Sequence, residues 1–144
     1  MAAAYRFFDE RTAATFRAAA GCIVPSEPGS PGADSDDAIA VADGALAARP
    51  ERDRKLLRAF LRAVEVLPVF RYGRGFSKLT PEKQRTFLRF LESTRLSSKF
   101  RQGFFGMKTF ALLGYYGLPR SWEELAYPGP RLDAPYYQLR RKTE

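Results

Sequence analysis

The sequence of 144 residues contains no histidine and only one cysteine, Cys22. Without histidine the chain cannot build a Ser-His-Asp or Cys-His catalytic group, a histidine metal site or a haem site with a histidine ligand. A single cysteine also excludes an internal disulfide. Glycine-rich phosphate-binding patterns are missing as well. We therefore expect no catalytic, cofactor-binding or metal-binding residue in this chain.

Two pairs of adjacent carboxylates, Asp36-Asp37 and Glu123-Glu124, do not change that expectation. Adjacent residues on a helix point about 100° apart, so the side chains of a pair do not converge on one substrate. Each pair lies early in a predicted helix, where an acid stabilises the positive end of the helix dipole. We interpret both pairs as features of helix starts.

Long apolar runs and export signals are also absent. The best candidate for a membrane span, FFGMKTFALLGYYGL, is shorter than the roughly 18 residues required and carries Lys108. The N-terminus has acids at Asp9 and Glu10 and no basic region, so it shows neither a signal peptide nor a twin-arginine signal. We expect a cytoplasmic protein with no membrane insertion.

No segment shows the alternation of a β-strand, whereas five segments space their apolar residues as a helix does. The predicted helices start at capping residues or at a proline suited to a first turn. These starts are Asp9, Ser35, Pro50, Thr80 and either Ser97 or Ser98. Loops are expected at residues 25–34, 68–79 and 114–144, where glycine and proline are frequent.

The sequence therefore predicts an all-α fold, a compact bundle of about five helices with an extended C-terminal arm rich in proline and aromatic residues. We expect one helical domain over residues 1–130 and a basic tail over 131–144. The last helix carries the broadest apolar face and is expected to be central.

The stretch GYYGLPRSWEELAYPGP, residues 114–130, is where that arm begins. We expect Gly114 and Gly117 to end the fifth helix, and Ser121 with Glu124 to form a capping box for a short helical turn. An extended arm cannot bury both of its sides, so it lies either on its own helices or on another protein. Tyrosine and tryptophan are favoured at interfaces. The candidate partner-binding residues are Tyr115, Tyr116, Trp122, Tyr127, Tyr136 and Tyr137.

Charge is spread unevenly along the chain. Residues 1–50 carry four basic and seven acidic side chains, and residues 51–144 carry twenty and nine. This excess indicates an acidic partner surface or a polyanion. The motif RYGRGF and the basic faces of the third and fourth helices (Arg52, Lys55, Arg58, Arg62; Lys83, Arg85, Arg89) are compatible with nucleic-acid binding. A turn and solvated helix faces explain the same residues.

Three segments in this order resemble the gluconate 2-dehydrogenase subunit 3 family. They are IVPSE with a Pro/Gly-rich loop and a short helix, then GFSKLTPEKQRTFLRFLES, then FFGMKTFALLGYYGLPRSWEELAYPGP. The resemblance covers roughly residues 5 to 130. Its sharpest part is the last segment taken as a whole.

The resemblance implies an accessory subunit without a cofactor of its own. Such subunits accompany a large flavin-dependent dehydrogenase of the glucose–methanol–choline (GMC) type, which holds FAD and oxidises a sugar, glycoside or related alcohol. Many family members carry a twin-arginine signal that this sequence lacks, so a cytoplasmic hetero-oligomer is expected. The alternative function is that of a small basic helical protein that binds nucleic acid, a partner that we do not expect.

Overall fold

The structure is a computed structural model that describes residues 4–93 and 97–128, apart from the side chain of Glu124. Within these residues it is all-helical, with five helices of 12 to 19 residues and two shorter α-helical segments. The bounds are α1 Glu10–Ile23, α2 Asp36–Ala47, α3 Glu51–Val66, α4 Val69–Tyr72, a 3-10 turn Phe76–Lys78, α5 Pro81–Ser93, α6 Ser98–Tyr116 and α7 Pro119–Glu124. The predicted fold class is confirmed. None of the described helices is long and apolar enough to cross a membrane.

Side-chain capping fixes where α1 and α6 begin. Asp9 accepts a hydrogen bond from the Thr12 amide at 2.8 Å, and the Thr12 hydroxyl accepts from the Asp9 amide, which closes a capping box at α1. Ser97 caps α6 by accepting from the Phe100 amide. Ser35 occupies the N-cap position of α2, but its side chain makes no capping hydrogen bond and accepts instead from Arg120.

Helix α6 lies at the centre of the bundle and packs against α1, α2 and α3. The close approach of its neighbours requires glycine at two positions. A Cβ atom at Gly103 would lie 2.6 Å from the Phe60 ring, and one at Gly114 would lie 2.5 Å from the Ala38 carbonyl oxygen. Gly114 is buried inside α6, which continues to Tyr116. The prediction that Gly114 helps to end this helix is therefore wrong, because its absent side chain serves contact with α2.

Helix α3 runs antiparallel to α6. Phe60 contacts Phe100 and Gly103 near the start of α6, whereas Leu57 faces Gly106 one turn further along. The C-terminal end of α3 therefore lies beyond the N-terminal end of α6. Because α7 follows the C-terminal end of α6, α4 and α7 lie at opposite ends of the bundle.

One buried and one partly buried carboxylate fasten loops to this bundle. Asp43 in α2 accepts hydrogen bonds from the backbone amides of Arg6, Phe7 and Phe8 at 2.8 to 3.0 Å. Glu65 in α3 accepts from Thr15 and from both the amide and the hydroxyl of Ser77. Each carboxylate satisfies several donors, which is how a charged group is tolerated inside a fold.

The predicted domain boundary at residue 130 and the predicted tail over 131–144 lie outside the described residues. They stay predictions.

Candidate partner-binding surface

The stretch that the sequence predicted to be a loop and arm from residue 114 is helical for much of its described length. Helix α6 reaches Tyr116, Gly117 provides its C-cap, and α7 begins at Pro119. Proline suits the first position of a helix because that residue needs no amide hydrogen bond. The expectation of a loop is wrong for residues 114–116, whereas the short helical turn expected after Pro119 is present as α7.

The capping box predicted at Ser121 is also not present. Leu118 is the N-cap of α7, so Ser121 lies inside the helix, where it is fully buried. Its hydroxyl donates to the Leu118 carbonyl at 2.7 Å instead of accepting from a downstream amide. The proline at the first helical position places the helix start three residues earlier than the box required.

Three of the candidate aromatic residues form one connected group. The Trp122 indole nitrogen donates to the Tyr116 carbonyl oxygen at 2.6 Å, which joins α7 to the end of α6. The Tyr127 ring meets the Trp122 ring edge to face, with 5.9 Å between centroids. Ala126 adopts a left-handed backbone with φ of 52°, and the Tyr127 amide donates to the Trp122 carbonyl at 2.7 Å. This turn brings Tyr127 back beside Trp122.

The connected rings lie within an exposed apolar area. Tyr116 is 45% exposed and Tyr127 is 48% exposed, while Trp122 is partly buried by the contacts just described. Leu113, one turn before Tyr116, and Leu125, between Trp122 and Tyr127 in the sequence, are exposed as well. We call this area the α6–α7 surface, which consists of Leu113, Tyr116, Trp122, Leu125 and Tyr127.

The remaining candidate residues do not join this surface in the described structure. Tyr115 is 8% exposed and belongs to the core cluster of the bundle, with its ring 5.0 Å from that of Tyr116. The helical turn that exposes Tyr116 directs its neighbour inward, so the expected partner contact by Tyr115 is corrected to a core contact. Tyr136 and Tyr137 lie outside the described residues.

An ion pair that sequence reasoning missed holds α7 in place. The Arg120 guanidinium bonds both carboxylate oxygens of Asp37 and the hydroxyl of Ser35. Desolvation by burial would raise the pKa of Asp37, but the hydrogen bonds from Ser35 and Arg120 outweigh it and hold that pKa below its ordinary value. The pair spans 83 residues, so no local pattern could have revealed it.

The α6–α7 surface lies in the segment where the sequence most resembles a known family. The gluconate 2-dehydrogenase subunit 3 family matches residues 10–129. The chain belongs to this family. The match spans all the helices from α1 to α7 and confirms the resemblance drawn from the motifs. No match was found among curated proteins or among solved structures.

The family name describes one subunit of a dehydrogenase complex, which implies a hetero-oligomer. A groove of about 890 Å³ between α1 and α5 is lined in part by Cys22, Gln84 and Arg85. Burial raises the pKa of the Cys22 thiol, which keeps it in the unreactive protonated form. Among the described residues, no cluster of three Cys, Asp or Glu side chains could hold a metal ion.

The basic face of α3 is largely occupied by contacts within the subunit. Lys55 pairs with Glu51, and Arg62 lies 3.7 Å from Asp9. Arg58 donates to the Phe7 carbonyl and lies over the Phe7 ring. These contacts reduce the number of cations on α3 that are available to follow a phosphate backbone.

Proposed function

We propose that this chain is a non-catalytic small subunit that binds and stabilises a large FAD-dependent oxidoreductase of the GMC type. The observation that carries the proposal is the α6–α7 surface within a member of the subunit 3 family. In the proposed complex the large subunit holds FAD and oxidises a sugar, glycoside or related alcohol. The complex is cytoplasmic in this proposal.

The proposed mechanism is burial of apolar surface between the two subunits. Obligate interfaces between subunits typically cover about 2,000 Å² or more in total, and tyrosine and tryptophan dominate their energetic centres. Tyr116, Trp122 and Tyr127 supply such side chains in one connected group. Each ring that is covered by the partner contributes through the area it removes from water.

The α6–α7 surface is also organised before any partner arrives. The Trp122 indole bond to Tyr116 and the Arg120 ion pair with Asp37 hold α7 against the bundle. A surface that is ordered in the free subunit loses less conformational entropy when it binds. This order in the free subunit supports a stable and long-lived contact with the flavoprotein.

Co-expression with the GMC-type flavoprotein of the same organism tests this function. We expect the two proteins to co-purify, the flavoprotein to lose solubility or activity when expressed alone, and the isolated small subunit to show no turnover. Failure to co-purify, together with a flavoprotein that is equally soluble and active alone, contradicts the proposal. Turnover by the isolated small subunit contradicts its non-catalytic role.

A further inference from the structure

A second exposed apolar area lies far from the α6–α7 surface. It consists of Val66, Leu67, Val69 and Phe70, at the end of α3 and the start of α4, and we call it the α3–α4 tip. Phe70 is 86% exposed, although a phenylalanine gains free energy when it is buried. Four large apolar side chains exposed within five residues indicate that something covers this tip in the working protein.

The tip cannot be part of the α6–α7 surface. The antiparallel packing of α3 on α6 places it beyond the N-terminal end of α6, whereas α7 follows the C-terminal end. Helix α6 has 19 residues. At 1.5 Å per residue it separates the two areas by roughly 28 Å. The two areas can therefore engage different partners at the same time.

Four cations that pair with no carboxylate among the described residues follow the tip along the chain. The Arg71 guanidinium and the Lys83 ammonium both lie over the Tyr72 ring, at 5.7 and 5.5 Å from its centroid. Arg74 and Lys78 follow on exposed positions of the next turn. In the described part of the chain, no ion pair includes any of these four cations.

The two carboxylates of the same region, Glu65 and Glu82, offset only part of the charge of these four cations. Glu65, next to Val66, accepts hydrogen bonds from Thr15 and Ser77 inside the fold. Glu82 is exposed and forms no ion pair with its neighbours among the described residues. The tip therefore combines an exposed phenylalanine with an excess of positive charge in the residues that follow it.

We infer that the α3–α4 tip docks the subunit on an anionic membrane surface, with Phe70 among the lipid headgroups and the arginines and lysines on the phosphates. This combination is the one that peripheral membrane proteins use, because apolar insertion and attraction to anionic lipid add together. The exposed Phe70 ring and the long side chains of the four cations suit an anionic lipid bilayer, which is both fluid and charged. The docking is peripheral and leaves the α6–α7 surface free for the proposed flavoprotein.

Titration of the full-length chain with lipid vesicles tests this inference. The probes are vesicles in which about a third of the lipid is phosphatidylserine and vesicles of phosphatidylcholine alone. We expect binding to the anionic vesicles only, and weaker binding at higher salt. Phe70→Ser should weaken it about tenfold through lost apolar contact. Arg74→Gln with Lys78→Gln should weaken it about 25-fold, at about fivefold for each cation.

Phe105→Ser is the matched control, because Phe105 is also an exposed phenylalanine, 72% exposed, on a middle turn of α6. It should bind anionic vesicles as the wild type does.

Absence of binding to anionic vesicles, equal binding to neutral vesicles, or unchanged binding by the tip variants would overturn the inference. Loss of the flavoprotein complex by Phe70→Ser with unchanged vesicle binding would also overturn it and would assign the tip to a protein partner. None of these results depends on whether the wild type co-purifies with a flavoprotein.

Discussion

Arg120 in α7 and Asp37 in the first turn of α2 form a two-bond ion pair, with nitrogen–oxygen distances of 2.6 and 2.9 Å. The pair joins the segment that carries Trp122 and Tyr127 to α2, which lies 83 residues earlier in the sequence. Charge-assisted pairs with two bonds fix orientation as well as distance. The position of the α6–α7 surface therefore depends on a residue outside it.

Asp37→Asn should lower the stability of the subunit at pH 7 by about 0.5 kcal/mol, a modest effect because the pair is partly exposed to solvent. The folded-state pKa of Asp37 lies below its ordinary value of 3.8. The pair therefore contributes its stability above that value and loses it as the pH falls through the folded-state pKa. Urea unfolding of both proteins at pH 7, and again below about pH 4, should show the difference shrinking in acid.

Asp36→Asn is the control for this measurement, since it removes the same charge from the same helical turn. Asp36 pairs with Arg17 through a side chain that is 94% exposed, so its replacement should change stability very little. Equal effects from the two variants, or an Asp37→Asn effect that persists unchanged in acid, would show that the ion pair does not stabilise α7.

Gly114→Ala should destabilise the protein by about 2 kcal/mol. The added Cβ would lie 2.5 Å from the Ala38 carbonyl oxygen, a backbone atom that cannot move without shifting α2. Gly106→Ala is the matched change in the same helix. Its Cβ would meet nothing closer than Leu57 at 3.9 Å, so higher helix propensity should stabilise the protein by up to about 1 kcal/mol. Thermal unfolding should shift in opposite directions, and a shift in the same direction would refute the packing account.

Asp43→Ala should cost about 3 kcal/mol, since three backbone amides lose a charged acceptor inside the protein. Hydrogen exchange should accelerate at Arg6, Phe7 and Phe8. Asp53→Ala provides the comparison, because Asp53 forms an exposed pair with Arg49 and should contribute little. Unchanged exchange at the three amides would mean that Asp43 does not anchor the N-terminal segment.

The parts of the fold that follow from local chemistry could be predicted from the sequence. Asp9 and Ser97 identify helix starts because an N-cap acts on amides only three residues away. The contacts of Gly114, Tyr115 and Arg120 could not be predicted from local sequence, because they depend on which helix lies against these residues. Periodicity places Tyr115 on the same helix face as Met107 and Ala111, but it does not say whether that face meets the core or a partner.

The region that contains the candidate partner-binding surface could be predicted from the sequence more easily than the individual residues of that surface. A cluster of rings broken by glycine and proline indicated an interface near residues 114–130, and the described part of that cluster contains the α6–α7 surface. Three of the four described candidates, Tyr116, Trp122 and Tyr127, belong to it. Leu113 and Leu125 were missed because isolated leucines in a helical pattern are usually core residues.

The affinity between this subunit and the GMC-type flavoprotein, measured for matched surface variants, tests the central claim most directly. Tyr116→Ala combined with Tyr127→Ala should weaken the complex by about 30-fold or more, because exposed tyrosines at an interface centre carry much of the binding energy. Phe70→Ser, at the other end of the bundle, should bind as tightly as the wild type, and thermal unfolding should show both variants folded. A double variant that binds as tightly as the wild type, or a Phe70→Ser variant that is equally weakened, would contradict the account.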